Sequence, residues 1–221
     1  MKTRKGCIEL IISYNLGNSL YINLTNRCSN SCDFCLRASK GQPEIDSNKW
    51  ETSDDLSGTS ELWLDYEPEV SEIIQDLSKR DLKSYDEIVF CGFGEPFMRF
   101  HDCIEVAKWL REQQVKKIRV NTNGQANLIF ETYVTPLLAG LFDVVSISLN
   151  NKNATEYDAT CHSEFGEKAF DSLLDFGEKC AKLGIKTVFS VVDILPEEDI
   201  KVCRKLAVDR GCELRVREYI E

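Results

Sequence analysis

Three cysteines stand within eight residues, in the stretch Cys28-Ser29-Asn30-Ser31-Cys32-Asp33-Phe34-Cys35. Thiolates at that spacing, carried on one loop, can converge on a single metal centre. A structural zinc site takes four ligands, commonly in two pairs. No matching second pair exists here, and the only histidines are His101 and His162. A [4Fe–4S] cluster normally takes four thiolates. Three leave one iron open, which suits a cluster that binds a substrate rather than one that only passes electrons. Spacing alone keeps a zinc knuckle, and three idle thiols, in view beside the cluster.

Other short motifs offer polar groups to such a centre. Cys91-Gly92-Phe93-Gly94-Glu95-Pro96 reads as a turn that bares its backbone and adds one carboxylate. Asn121-Thr122-Asn123-Gly124 and Ser146-Ile147-Ser148-Leu149-Asn150 bring small hydrogen-bonding side chains. Arg217 offers a cation. Taken one at a time, each is equally compatible with ordinary turn chemistry or an exposed strand. Of the remaining cysteines, Cys103, Cys180 and Cys203 fall on apolar stripes and read as small core residues. Cys91 reads the same way, although it adjoins the turn. Cys7 and Cys212 carry no signal. Cys161 precedes His162, with nothing at metal-site spacing to join them.

Positioning these groups requires a scaffold. Short β-rich apolar runs recur at 20–24, 87–91, 117–120, 143–148, 186–191 and 213–219. Their near-continuous apolar character predicts strands buried on both faces. Helical stripes lie between them: one opened by Pro68, one capped by Asp102, and two over 169–183 and 197–210. Strand and helix alternate about six times, which predicts a parallel α/β sheet with handed crossovers, curled into a barrel or part-barrel. One connection, residues 25–67, is far longer than the usual βα loop. It follows the first strand and holds the three cysteines, on the side where such folds build active sites.

Composition narrows the function. The chain has 221 residues and ten cysteines, with 27 Lys and Arg against 37 Asp and Glu, for a formal net charge of −10. The length suits a single domain over 1–221. Acidic balance argues against a nucleic-acid partner, which clustered Lys and Arg would grip. No apolar run reaches the roughly 18 residues of a membrane span. Glu9 interrupts the apolar stretch behind the basic start, which argues against a cleaved signal. Thiols in a reducing cytosol are the expectation, hence a cytoplasmic protein with a small-molecule or short-peptide substrate.

Together, the motifs resemble the radical S-adenosylmethionine (radical SAM) superfamily, whose signature is Cys-x3-Cys-x2-Cys with an aromatic before the last cysteine. The resemblance covers nearly the whole chain, in family order, each motif at a predicted strand end. It implies a (β/α)6 partial TIM-type barrel of parallel strands, a [4Fe–4S] cluster on Cys28, Cys32 and Cys35, and SAM chelating the open iron. Reductive cleavage of SAM would then give a 5′-deoxyadenosyl radical that abstracts hydrogen from the substrate. Phe34 would pack near the adenine. Gly92, Phe93, Gly94 and Glu95 match the family's Gly-Gly-Glu segment beside the SAM amino group, with Phe93 where a glycine often stands. Asn121, Asn123, Ser148 and Asn150 would hold the ribose and carboxylate, and Arg217 the carboxylate or a substrate anion.

Within the superfamily, the runs 17–28, 89–96, 121–127 and 145–150 look like the TatD-associated radical SAM group, which is associated with queuine lyase. That likeness implies cleavage of queuosine or queuosine 5′-phosphate at the C–N glycosidic bond, releasing queuine for salvage, with a flavodoxin or ferredoxin as electron donor. The long loop, with Trp50, Glu51, Asp54, Asp55, Trp63 and Tyr66, is then a candidate lid over the substrate, or else a solvated acidic loop pinned by its tryptophans. No second cysteine-rich block is present to hold an auxiliary cluster. The alternatives are an activating enzyme of a glycyl-radical protein, or a non-catalytic zinc or iron–sulfur module for binding or electron transfer.

Overall fold

The computed structural model describes residues 10–35 and 62–219. One sheet holds seven strands in chain order: β1 (Ser13–Leu16), β2 (Ser19–Ile22), β3 (Glu87–Phe90), β4 (Ile118–Thr122), β5 (Val144–Ser148), β6 (Lys186–Val192) and β7 (Glu213–Arg217). Strands β2 to β7 pair in parallel, each with its successor. Six sequential parallel strands with helical crossovers give the partial TIM-type barrel that the alternation predicts. The antiparallel β1 is an addition to it. Gly17, at φ 56° in the first central position of a two-residue turn, lets β1 fold back on β2.

The helices are α1 (Val70–Leu77), α2 (Phe100–Glu112), α3 (Ala126–Ile129), α4 (Ala154–Cys161), α5 (Lys168–Lys182) and α6 (Glu197–Val208). Two helix starts differ from the expectation. Pro68 lies outside α1, where the Glu72 side chain accepts from the Glu69 backbone N–H at 2.8 Å. Asp102 caps nothing. A 3₁₀ turn over Pro96–Arg99 feeds directly into α2, and Asp102 in the first turn pairs with Arg99 at 2.7 Å. The β4–β5 crossover carries only the single-turn α3 and a second 3₁₀ turn, Thr135–Leu138.

The sheet has two unlike faces. Leu20, Ile22, Ile88, Phe90, Ile118, Val120, Val145, Ile147 and Phe189 are buried in one core with Phe97, Phe100, Leu110, Leu173 and Phe176 from the helical side. Each such side chain contributes about 1.5–3 kcal/mol when fully buried. Gly177 on α5 lets the Phe189 ring close in, since a Cβ there would stand 2.4 Å from Phe189 Cζ. The opposite face departs from the expectation of apolar character throughout. Register there brings Arg119 beside Val89, Asn121 beside Ser146, and Ser148 beside Ser190, which neighbours Arg215. Among the described residues, no helix is long and apolar enough to cross a membrane.

Candidate active site

The connection after β2 is closed at its base. Asn23 Nδ2 donates to the Leu62 carbonyl at 2.6 Å, and Asn26 exchanges hydrogen bonds with Leu64 at 2.7 and 3.1 Å. Arg27 grips Glu67 with two bonds, at 2.7 and 3.0 Å, while the Thr25 hydroxyl donates to the same carboxylate. The Arg99 guanidinium reaches the carbonyls of both Leu24, at 3.1 Å, and Pro68, at 2.7 Å. The chain therefore leaves and returns at one place. Trp63 comes back beside Phe93, ring centroids 6.5 Å apart. Trp50, Glu51, Asp54 and Asp55 lie outside the described residues.

The turn after β3 locks onto the cysteine loop. A Cβ on Gly94 would stand 2.3 Å from the Thr25 carbonyl oxygen and 2.6 Å from that of Arg27. One on Gly92 would stand 2.0 Å from Asn23 Oδ1. Glycine is required at both positions for the approach. The Glu95 N–H then donates to the Arg27 carbonyl at 2.8 Å. The Glu95 carboxylate is turned inward, 4 % exposed, and accepts from Thr122 Oγ1 at 2.7 Å, Asn123 N at 2.6 Å and Phe97 N at 3.0 Å. It ties the ends of β3 and β4 together. Burial pushes its carboxyl up to about 7, against the opposing pull of those three donors.

Asn123 faces the cysteine loop from the other side. Its Nδ2 donates to Ser29 Oγ at 2.9 Å and lies 3.9 Å from Cys28 Sγ, which also accepts from Asn30 N at 3.4 Å. Behind Cys28 runs a buried polar network that the motifs did not announce. Gln125 accepts from Ser29 at 2.8 Å and donates to Asn30 Oδ1 at 2.8 Å and to Tyr157 Oη at 2.9 Å. The same Tyr157 oxygen accepts from Asn30 Nδ2 at 2.9 Å. Gln125 follows the Asn-Thr-Asn-Gly motif directly, which is the one trace of this network in the sequence.

The loop docks on the carboxyl end of α4. Ser31 N donates to the Cys161 carbonyl at 2.9 Å, Asp33 N to that of Thr160 at 3.0 Å, and His162 meets Asp33 at 2.8 Å. These bonds bring Cys161, a residue without an assigned role in the sequence, against Cys32. Their thiol–thiol hydrogen bond raises the Cys32 pKa and lowers that of Cys161. Asn150, in the left-handed region at φ 58°, donates from Nδ2 to Cys161 Sγ at 3.4 Å. Phe34 is half-buried against the core, and Ser148 stands opposite Ser190 on the inner face. Lower on that face, burial raises the Cys91 pKa and keeps it a thiol, against the opposing pull of a hydrogen bond from Asn121 and the charges of Arg119 and Arg217. Arg217 also feels Cys32, which links the loop to the interior of the part-barrel.

The donor set fits a [4Fe–4S] cluster and SAM. Three thiols on one docked loop suit iron, and the backbone N–H of Asn30 and the Asn123 amide already point at the Cys28 sulfur. The buried Asn150 Oδ1 has no partner among the described residues and can accept from a hydroxyl. Among the described residues, no three His, Cys, Asp or Glu side chains are gathered at metal-binding distances. Cys32 donates as a neutral thiol to Cys161, whereas ligation would take its thiolate.

Several solved structures share this architecture. Streptococcus suis SuiB bound to S-adenosylmethionine matches at TM-score 0.61 and 14 % identity, over 91 % of this chain and 40 % of that one. A radical SAM methyltransferase from Sphaerobacter thermophilus matches at TM-score 0.58 and 15 % identity, over 93 % and 57 %. HydG, a maturase of the [FeFe]-hydrogenase, matches at TM-score 0.60 and 12 % identity, over 92 % and 42 %. At these identities the likeness establishes the fold, and the chain spans from 40 % to 57 % of the length of these three. No curated protein matches the chain. The sequence model of the radical SAM superfamily matches residues 22–207, from the end of β2 to the last turn of α6, and the chain belongs to that superfamily, whose members use a [4Fe–4S] cluster and SAM.

Proposed function

We propose that this radical SAM enzyme is a lyase acting on a small modified nucleoside, cleaving queuosine or queuosine 5′-phosphate at the C–N glycosidic bond and releasing queuine. The observation that carries the reading is the polar inner face of the sheet, with Tyr21, Arg119, Asn121 and Ser148 opening toward the cysteine loop. The likeness of the runs 17–28, 89–96, 121–127 and 145–150 to the TatD-associated group supports the choice of nucleoside.

When bound, the cluster and SAM supply a 5′-deoxyadenosyl radical. The protein's part is to hold, orient and shield. Cys28, Cys32 and Cys35 would ligate three irons, and N–H donors on the Cys28 sulfur favour its thiolate. Gly92 and Gly94 bring the turn close enough for backbone carbonyls to meet an ammonium. Ser148 and Asn150 would take the ribose hydroxyls of SAM, and Arg217 its carboxylate or a substrate anion. The sheet and its helical layer keep water from a reactive carbon centre. A flavodoxin or ferredoxin would deliver the electron.

The test is anaerobic. Reconstituted protein with dithionite and SAM should yield 5′-deoxyadenosine by mass spectrometry, and added queuosine or its 5′-phosphate should release queuine. Cys28→Ala, Cys32→Ala or Cys35→Ala should each lower bound iron and abolish both products. Full activity in any one would defeat the ligand assignment, and no queuine from either substrate would defeat the lyase reading.

A further inference from the structure

Of the buried polar atoms that have no partner among the described residues, two lie on the inner face of β4: Arg119 Nε and Asn121 Oδ1. Buried polar atoms in a folded chain are nearly always hydrogen-bonded, so two orphans side by side mark a place made for something else. Both residues lie on β4, two positions apart, and so share a face. Each is fixed by its remaining polar atoms. Arg119 Nη2 donates to Tyr21 Oη at 3.1 Å and pairs with Glu87 at 2.9 Å, which keeps the guanidinium from swinging to another acceptor. Asn121 is held by its hydrogen bond with the Cys91 thiol. What remains is one unpaired donor and one unpaired acceptor on the same face of β4.

We infer that Arg119 and Asn121 form the base-recognition subsite of this enzyme, taking the lactam edge of a guanine-type heterocycle. The inference rests on the nucleoside reading above and deepens it. A lactam presents a carbonyl oxygen next to an N–H, which complements a donor next to an acceptor. The aminopyrimidine edge of an adenine-type base also carries one of each, but its acceptor is a ring nitrogen. Arginine is the usual reader of guanine, donating to its carbonyl oxygen among other acceptors, whereas adenine is usually read by Asn or Gln.

Depth in the barrel agrees. Asn123, whose amide meets Cys28, lies two residues beyond Asn121 toward the mouth, and Arg119 two residues further in. Four residues of strand span about 13 Å. A nucleoside held by its base at Arg119 and Asn121 points its sugar at the cysteine loop, where hydrogen abstraction is to occur. The sequence motif around Asn121 resembles a SAM-contacting segment. In this proposal Asn123, which bonds the cysteine loop, serves the cofactor side, and Asn121 serves the substrate.

The experiment is equilibrium binding to the cluster-loaded, SAM-bound enzyme under anaerobic conditions, by calorimetry. The probes are 7-deazaguanine and 7-deazaadenine. The wild type should bind 7-deazaguanine the more tightly. Asn121→Leu and Arg119→Lys should each weaken 7-deazaguanine about tenfold, the loss of one hydrogen bond in a closed site, and leave SAM affinity unchanged. Arg119→Lys keeps a positive charge for Glu87 but removes Nε–H together with the fork that bonds Tyr21, so Asn121→Leu, which leaves Arg119 untouched, is the independent check. Equal binding in both variants, tighter binding of 7-deazaadenine, no binding of 7-deazaguanine, or weakened SAM in Asn121→Leu would each overturn the subsite. If queuosine is not cleaved while 7-deazaguanine binding depends on both residues, the subsite stands and the lyase reading falls. If queuosine is cleaved with unchanged KM in both variants, the reverse holds.

Discussion

Glu95 sits among three hydrogen-bond donors and yet is short of solvent, two influences that pull its proton affinity in opposite directions. Burial wins: the carboxyl moves from an ordinary 4.5 to about 7. Between those values the folded chain binds more protons than the unfolded one. The stabilising contribution is therefore complete below about 4.5 and is lost as pH rises through about 7, by roughly 3 kcal/mol in all. Urea midpoints should fall between pH 5 and pH 8 in the wild type, and that slope should vanish in Glu95→Gln. Glu67 acts the other way, since its bonds to Arg27 and Thr25 lower its pKa, and its effect is confined to more acidic solution. At this scale Cys28, Cys32 and Cys35 were legible from spacing. Gln125, Tyr157 and Cys161 were not, because what makes them matter is contact with a loop nearly a hundred residues or more away in the chain.

Among the elements, the turn after β3 shows how little space separates the motifs. Gly94 meets backbone rather than a flexible side chain, so the loop cannot yield by changing a rotamer. Gly94→Ala should cost about 1–3 kcal/mol as an overpacked contact and reduce iron uptake on reconstitution. Gly140→Ala, at φ 74° with open space around its Cβ position, should be strained in its backbone yet leave iron loading intact. Iron per chain after desalting separates the two. The six parallel strands were readable because each is an apolar run set off by turn residues. The starts of α1 and α2 differ from the expectation because the Glu69–Glu72 capping box opens α1 after Pro68, and the 3₁₀ turn runs into α2 while Asp102 pairs with Arg99. Strand β1 escaped notice because its four residues, Ser13–Leu16, alternate too briefly to stand out from a coil.

For the molecule as a whole, alternation of strands and helices identified a part-barrel, but not the polarity of its interior. An apolar residue on a short strand says only that one face is covered, and the inner positions of β4 and β5 hold Arg119, Asn121, Ser146 and Ser148 among such residues. The closed base of the long connection has a consequence for chain continuity. Residues 10–35 contribute β1, β2 and all three cysteines of the loop, and everything else described begins at Leu62. Five side chains, Asn23, Thr25, Asn26, Arg27 and Arg99, join the two ends, and β2 pairs with β3 through four register partners. Those contacts hold the two ends together without a covalent link between them, and the entropy a link saves grows only slowly with its length. A protease site engineered into that stretch and cut after folding should leave two polypeptides that co-elute on gel filtration and still take up iron together. Separation in native buffer would show the clasp to be too weak. Joined, the pieces would make the enzyme a fragment-complementation pair in which one short peptide delivers every thiol of the cysteine loop to a scaffold made by the other.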